Sequence, residues 1–302
     1  MTPKVATPKE TKIGWIGTGL MGAFMAGHLL DAGYALTVHN RTRSKADPLV
    51  ARGAVWADDA ATAAAGADVV VTMVGLPSDV EEALLGERGA VARARPGRIF
   101  VDMSTSRPSL AQAIARAAEA RGAFAVDAPV SGGQAGARNA TLSIMIGGAE
   151  PAVRAVEPLF RIMGKTIVAH GGPGAGQHAK LVNQTLIAGA MIGVCEGLLY
   201  AHAAGLDLNR VLESVEKGAA GSWSLSNYAP KIIAKDFEPG FLVEHFLKDM
   251  AITLEEARKM RIALPGLALV EQLYASVRAA GWGNKGVQAL ALGLARMSSR
   301  GT

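Results

Sequence analysis

The chain has 302 residues, half of them hydrophobic and 19% charged, which suits about two domains with a substantial buried core. A single cysteine, Cys195, excludes an internal disulfide framework and a thiol-built metal cluster, and suits a reducing, cytoplasmic setting. The net charge of +5 is scattered without a basic run, which argues against nucleic acid and fits a small anionic ligand.

Residues 1–11 carry charge and proline but no apolar h-region, and read as a frayed tail rather than a secretory signal. From Lys12 to Asn40 the pattern is strand, glycine turn, helix, strand. The turn is Gly17-Thr18-Gly19-Leu20-Met21-Gly22, a G-x-G-x-x-G after a strand and at the opening of a helix. Gly17 permits the turn, Gly19 lets a pyrophosphate approach the backbone, and Gly22 lets helix pack on strand. The helix start turns free N–H groups and its dipole toward the phosphates. The second strand ends in Asn40-Arg41-Thr42-Arg43-Ser44-Lys45. An acidic residue there would hold the ribose of NAD. Arginines, a lysine and hydroxyls suit the 2′-phosphate of NADP, unless these cations merely cover the next helix. NADP is the expected cofactor and NAD the alternative.

Strands at 69–74, 98–104, 124–130, 142–148 and 166–171, with helical segments near 108–121 and 151–163, extend the alternation into a parallel, doubly wound sheet. Ligands of such sheets sit beyond the carboxyl ends of strands. Gly75-Leu76-Pro77-Ser78 is the loop at the carboxyl end of the 69–74 strand, and the polar strand-end residues Thr105 and Ser131 therefore fall on the ligand side, where ordinary Ser and Thr capping is the competing reading.

A glycine-rich loop with Pro173 ends at Gly176 and opens a long proline-free run to about Gly205. We read one helix, buried nearly all round, that joins the sheet to the second half of the chain. Gly189, Gly193 and Gly197 share one of its faces, where another helix could approach closely. A membrane span competes, but Asn183, Gln184, Glu196 and the missing basic flank argue against it. Lys180 and Asn183, at i and i+3, project together. His178 lies about 160° from Lys180 at ~100° per residue, so it reads as packing or surface. His170, His202 and His245 show no ligand spacing, so no metal is expected.

From Leu206 the chain reads as helical: Asp207 caps a helix over 210–217, and a small-residue loop over 218–224 holds Trp223 and Ser224. A helix over 241–260 carries Lys248, Pro265-Gly266 ends it, and helices follow near 267–280 and 286–297. The expected domains are a tail at 1–11, a dinucleotide-binding domain at 12–173 and an all-helical domain at 174–302. Long apolar helices in the second half suggest a homodimer or homotetramer.

Three motifs combine: I-G-T-G-L-M-G at 16–22, D-A-P-V-S-G-G at 127–133 and G-x-x-x-K-x-x-N at 176–183. With D-M-S-T at 102–105 and F-x-x-x-x-F-L-K-D at 241–249, they resemble the β-hydroxyacid dehydrogenase family over nearly the whole chain after the tail. The resemblance implies a Rossmann-type sheet plus a helical domain, joined by the long interdomain helix. It implies Lys180 as catalytic lysine, Asn183 holding substrate, and Ser131, Gly132 and Gly133 binding the substrate carboxylate. It places Thr105 and Lys248 at the nicotinamide end, Leu76 and Pro77 against the dinucleotide, and Trp223 and Ser224 facing substrate; a core tryptophan is the competing reading for Trp223. Gln184 departs from the second asparagine of many members.

Hydride transfer raises alkoxide character on the substrate oxygen. A lysine ammonium can stabilise and protonate it, and the neutral amine can accept the proton in reverse; both roles need a pKa tuned toward neutrality. Asn40-Arg41-Thr42 looks like the NADPH-preferring glyoxylate and succinic semialdehyde reductases. An NAD-dependent 3-hydroxyisobutyrate dehydrogenase or a tartronate semialdehyde reductase stands as the alternative, and a non-catalytic dinucleotide-binding scaffold is more remote. Imine reductases, in which the lysine is replaced, are disfavoured by Lys180.

Overall fold

The computed structural model describes residues 2–298; residue 1 of the expected tail and residues 299–302 of the expected helical domain lie outside them. The chain divides into two compact units, Met1–Lys180 and Leu181–Thr302.

The first unit runs β1 (Lys12–Ile16), α1 (Gly22–Asp31), β2 (Ala35–His39), α2 (Asp47–Val50), β3 (Val55–Trp56), α3 (Ala60–Ala65), β4 (Val69–Thr72), α4 (Pro77–Leu85) and β5 (Ile99–Asp102). It continues through α5 (Pro108–Glu119), β6 (Phe124–Asp127), β7 (Val130–Ser131), α6 (Gly133–Arg138), β8 (Leu142–Gly148), α7 (Glu150–Met163) and β9 (Gly164–Gly171), and ends in the first turns of α8 (Ala175–Ala203). The sheet order is β3-β2-β1-β4-β5-β6-β8-β7, with β9 beside β8.

Successive valines of β4 serve opposite faces. Val69 and Val71 pack with Met25, Leu29, Val156 and Phe160 of α1 and α7, whereas Val70 packs with Val80, Leu84, Leu110 and Ile114 of α4 and α5. A strand covered on both faces has no wet side, hence its unbroken apolar run. The strands from β3 to β6 are parallel, as expected, but β8 runs antiparallel to β6 and β7, and β9 parallel to β8. The short α6 turns the chain straight back after β7; a parallel return needs a crossover of a dozen or more residues.

The tail does not fray. Ala6 is buried and donates its N–H to Ala155 O, and Lys9 N–H donates to Gly33 O. The loop after β4 is also shorter than expected, because Pro77 already stands in the first turn of α4, where its missing N–H is no loss.

The second unit holds the rest of α8, then α9 (Leu208–Val215), α10 (Trp223–Ile233), α11 (Val243–Met260), α12 (Pro265–Val277) and α13 (Leu290–Met297). Asp207 caps α9 through the N–H groups of Asn209 and Arg210. Pro265 opens α12 rather than closing α11, which ends at Arg261 in a left-handed conformation. A core of Met191, Phe246, Met250, Tyr274 and Leu290 ties α8, α11, α12 and α13 together.

Helix α8 is not buried nearly all round. Val182, Leu186 and Tyr200 are exposed, and Leu186 shows 70% of its surface. Gly189, Gly193 and Gly197 complete the same face, and a Cβ added at any of them would meet nothing within 4 Å. By length and composition α8 could cross a membrane, yet it buries Gln177, Lys180 and Gln184.

Candidate active site

The glycine turn closes β1 onto α1. Gly17 has φ +100°, and a Cβ there would lie 2.1 Å from Met73 O, so no other residue fits. A Cβ on Gly22 would strike Gly17 O at 2.1 Å, whereas one on Gly19 would meet nothing within 4 Å. Gly17 and Gly22 thus build the turn, and Gly19 leaves its outer side open. Leu20 is exposed, and Met21 at the start of α1 makes no side-chain cap. Thr18 is buried with its hydroxyl unpartnered among the described residues. Open backbone, an uncapped helix start and an orphaned hydroxyl fit a dinucleotide pyrophosphate.

Asn40 bridges the two strand ends. Its Oδ1 accepts from Thr18 N–H at 2.9 Å and its Nδ2 donates to Thr42 O at 2.8 Å. The side chain thus holds the glycine turn against the end of β2. Arg41 is exposed and reaches Asp79 of α4 at 3.4 Å, while the Arg43 guanidinium lies 5.4 Å from the Trp56 ring centre. Two cations standing in water beside this turn fit a 2′-phosphate.

The carboxyl ends of β5 and β6 meet the start of α8, and that of β4 joins them through Ser104. Val74 N–H donates to Ser104 Oγ, which joins the turn that leads to Leu76 and Pro77 at the start of α4 to the end of β5. Gln177 Nε2 donates to Ser104 O, and Ser106 N–H donates to Gln177 Oε1, both at 2.8 Å, so these bonds flank Thr105. Asp127, at the end of β6, accepts Gly174 N–H at 2.7 Å and Gln177 N–H at 2.8 Å. Burial pushes its carboxyl above the ordinary value, against these N–H groups, which favour the charged form. Gly176 is pressed between strands: a Cβ would lie 2.5 Å from both Asp127 O and Met145 O. Lys180, four residues on, is buried at 6% exposure on the face that Gly176 and Gln177 turn to the sheet. Half-buried Ser131 closes β7, and Gly132 and Gly133 follow at φ +130° and +60°, a left-handed turn that only glycine adopts readily.

In the second unit Asn183 Nδ2 donates to Gln184 Oε1, and Gln184 Nε2 donates to Asp249 Oδ2 at 2.6 Å. Lys248 Nζ pairs with Asp249 Oδ1 at 3.0 Å. The unusual Gln184 is therefore the link that joins Asn183 to the Lys248–Asp249 pair. Trp223 and Ser224 lie apart from this chain of bonds, in the first turn of α10. Trp223 is 57% exposed and packs edge-on against Tyr228, so it is no core residue, while Ser224 is buried. Sequence reasoning passed over Gln177, Asp127, Ser104 and Asp249 as site-building residues. All four stood inside the quoted motifs, but motifs mark positions and do not say which backbone groups a side chain reaches.

Residues 12–172 match the family model described as the NAD-binding domain of 6-phosphogluconate dehydrogenase, and residues 174–293 match that of the NAD-binding region of NADP-dependent 3-hydroxyisobutyrate dehydrogenase. The chain is 52% identical to the mitochondrial 3-hydroxyisobutyrate dehydrogenase-like protein 1 of Arabidopsis thaliana, over 98% of this chain and 88% of that one. It is 38% identical to 2-hydroxy-3-oxopropionate reductase of Escherichia coli, over 89% of this chain and 92% of that one. Among solved structures it is similar to Mycobacterium tuberculosis 3-hydroxyisobutyrate dehydrogenase with L-serine, at 30% identity and a TM-score of 0.85, covering 94% of this chain and 99% of that one.

Proposed function

Because the chain belongs to the β-hydroxyacid dehydrogenase family of NAD(P)-dependent oxidoreductases, we propose that it transfers a hydride between nicotinamide and the carbonyl or alcohol carbon of a small hydroxyacid or semialdehyde, preferring NADP and acting as a reductase of the glyoxylate and succinic semialdehyde type. The observation that carries this reading is Lys180: buried, and on a helix start tied to the carboxyl ends of β5 and β6 in the sheet that carries the glycine turn.

A nicotinamide dinucleotide, when bound, would supply or take the hydride. Gly17–Gly22 and Thr18 hold the pyrophosphate, Arg41, Thr42 and Arg43 the adenosine 2′-phosphate, Leu76 and Pro77 the flank of the dinucleotide, and Thr105 and Lys248 its nicotinamide end. Ser131, Gly132 and Gly133 bind the substrate carboxylate and so choose the face it presents. Lys180 gives its Nζ proton to the substrate oxygen in reduction and takes it back in oxidation. Asn183 orients that oxygen without competing for the proton. Trp223 and Ser224 shape the substrate side. The exposed apolar face of α8 supports a homodimer or homotetramer.

The test compares initial rates with NADPH and NADH on glyoxylate, succinic semialdehyde, 2-hydroxy-3-oxopropionate and methylmalonate semialdehyde, with Lys180→Ala in parallel. We expect NADPH-linked turnover that falls by about a thousandfold or more in the variant, since proton transfer and charge stabilisation are lost together. NADH preference would favour the NAD-dependent 3-hydroxyisobutyrate alternative. Turnover that survives Lys180→Ala would overturn the reading.

A further inference from the structure

We infer that Gln177 is a positioning residue whose buried amide sets the spacing between the catalytic lysine and the nicotinamide end of the cofactor site. This rests on the proposed roles of Lys180 and Thr105. Gln177 is fully buried, and each half of its amide is used: Nε2 donates to Ser104 O and Oε1 accepts from Ser106 N–H. The two bonds bracket Thr105 as a strand partner would, so the peptide that presents Thr105 cannot slide along α8 without breaking one of them. On the helix side, Asp127 accepts the backbone N–H of the same Gln177. Lys180 follows three residues later, on the same face. One residue therefore ties the end of β5, the end of β6 and the helix turn that carries the lysine. Through the Ser104 hydroxyl and Val74 N–H, the tie extends to the turn that leads to Leu76 and Pro77 at the start of α4.

The chemistry of the bonds selects the side chain. One donor and one acceptor are needed on a planar group at this reach. Asparagine is a methylene short, methionine offers neither bond, and ionised glutamate cannot donate. A protonated glutamate can do both. Misplacement of a reacting group by an ångström costs about a hundredfold in rate, so a spacer of this kind acts on the chemical step rather than on binding.

The experiment compares Gln177→Met, Gln177→Glu, Lys180→Ala and a control, Gln288→Met. Gln288 is an equally buried amide of the second unit that donates to Asp236 O and Glu238 O. For Gln177→Met we expect kcat to fall about tenfold to a hundredfold, with KM for both substrates within about threefold. The primary deuterium isotope effect from C4-labelled NADPH should grow as hydride transfer becomes limiting. Backbone amides over 104–106 should exchange hydrogen faster in the cofactor-free protein. Gln288→Met should keep its kcat. Gln177→Glu should approach wild type near about pH 6 and lose ground toward about pH 9 as the carboxyl ionises; this variant decides the matter if Gln177→Met does not fold. A wild-type kcat in Gln177→Met, an equal loss in Gln288→Met, or a wild-type rate of Gln177→Glu across that pH range would overturn the inference. Loss in Lys180→Ala beside an unchanged Gln177→Met confines the failure to Gln177. Survival of Lys180→Ala removes the functional reading and this inference together.

Discussion

Arg41 stands mostly in water, with 89% of its side chain exposed, and its ion pair with Asp79 is stretched to 3.4 Å. Such a pair contributes little to stability, so the guanidinium can leave Asp79 for a phosphate at small cost. Arg41→Ala should therefore leave the melting temperature unchanged and raise KM for NADPH about tenfold, the worth of one charge-assisted hydrogen bond, while KM for NADH stays put. An equal rise for both cofactors would mean that Arg41 does not read the 2′-phosphate. At this scale the sequence displayed residue types but not their partners. The absence of an acid after β2 was visible, but that Asn40 spends both ends of its amide on Thr18 and Thr42 was not. Gln184 is the sharper case. It stood out only as a departure, and became intelligible once Asp249, distant in sequence, was found at 2.6 Å.

Helix α8 illustrates what an element can and cannot reveal through its pattern. Its length was legible from a long apolar stretch without proline. The three glycines marked one face of it, but not that this face is exposed, because alanine and glycine populate both the wet and the dry side and blur the periodicity. The glycine of G-x-x-x-K was legible as part of a motif, and its physical reason is the 2.5 Å that a Cβ would leave to Asp127 O and Met145 O. Those are backbone atoms of two strands and cannot step aside. Gly176→Ala should push the helix start off the sheet, destabilise the fold by about 1–3 kcal/mol and lower kcat more than it changes KM. Thermal melting and steady-state kinetics on the same preparation check both. An alanine variant with unchanged melting temperature and kcat would show that the helix start tolerates displacement.

For the whole molecule, alternation of strand and helix was enough to foresee the doubly wound sheet, because a strand buried on both faces writes an unmistakable apolar run. The direction of β8 escaped, since LSIMIGG carries the same pattern whichever way it runs. Assembly belongs to this scale too. A face of Val182, Leu186, three glycines and Tyr200, edged by Glu196, is mostly apolar and exposed. If a second copy covers it, Leu186→Glu should shift the mass measured by light scattering toward the monomer, while wild type runs as a dimer or tetramer. A monomeric wild-type chain would end that expectation.

The bonds to Asp127 also bear on where the dinucleotide-binding half can be cut free. All of its strands are complete by Gly171, which invites excision there. But the Asp127 carboxylate lies inside that half, and Gly174 and Gln177, whose N–H groups it holds, lie beyond the cut. A fragment stopped at the last strand would keep a buried acid stripped of these partners and lose the amide that bridges Ser104 and Ser106. A fragment that keeps these bonds must include the opening turns of the next helix, and the division between the two compact units falls inside that helix rather than in a linker.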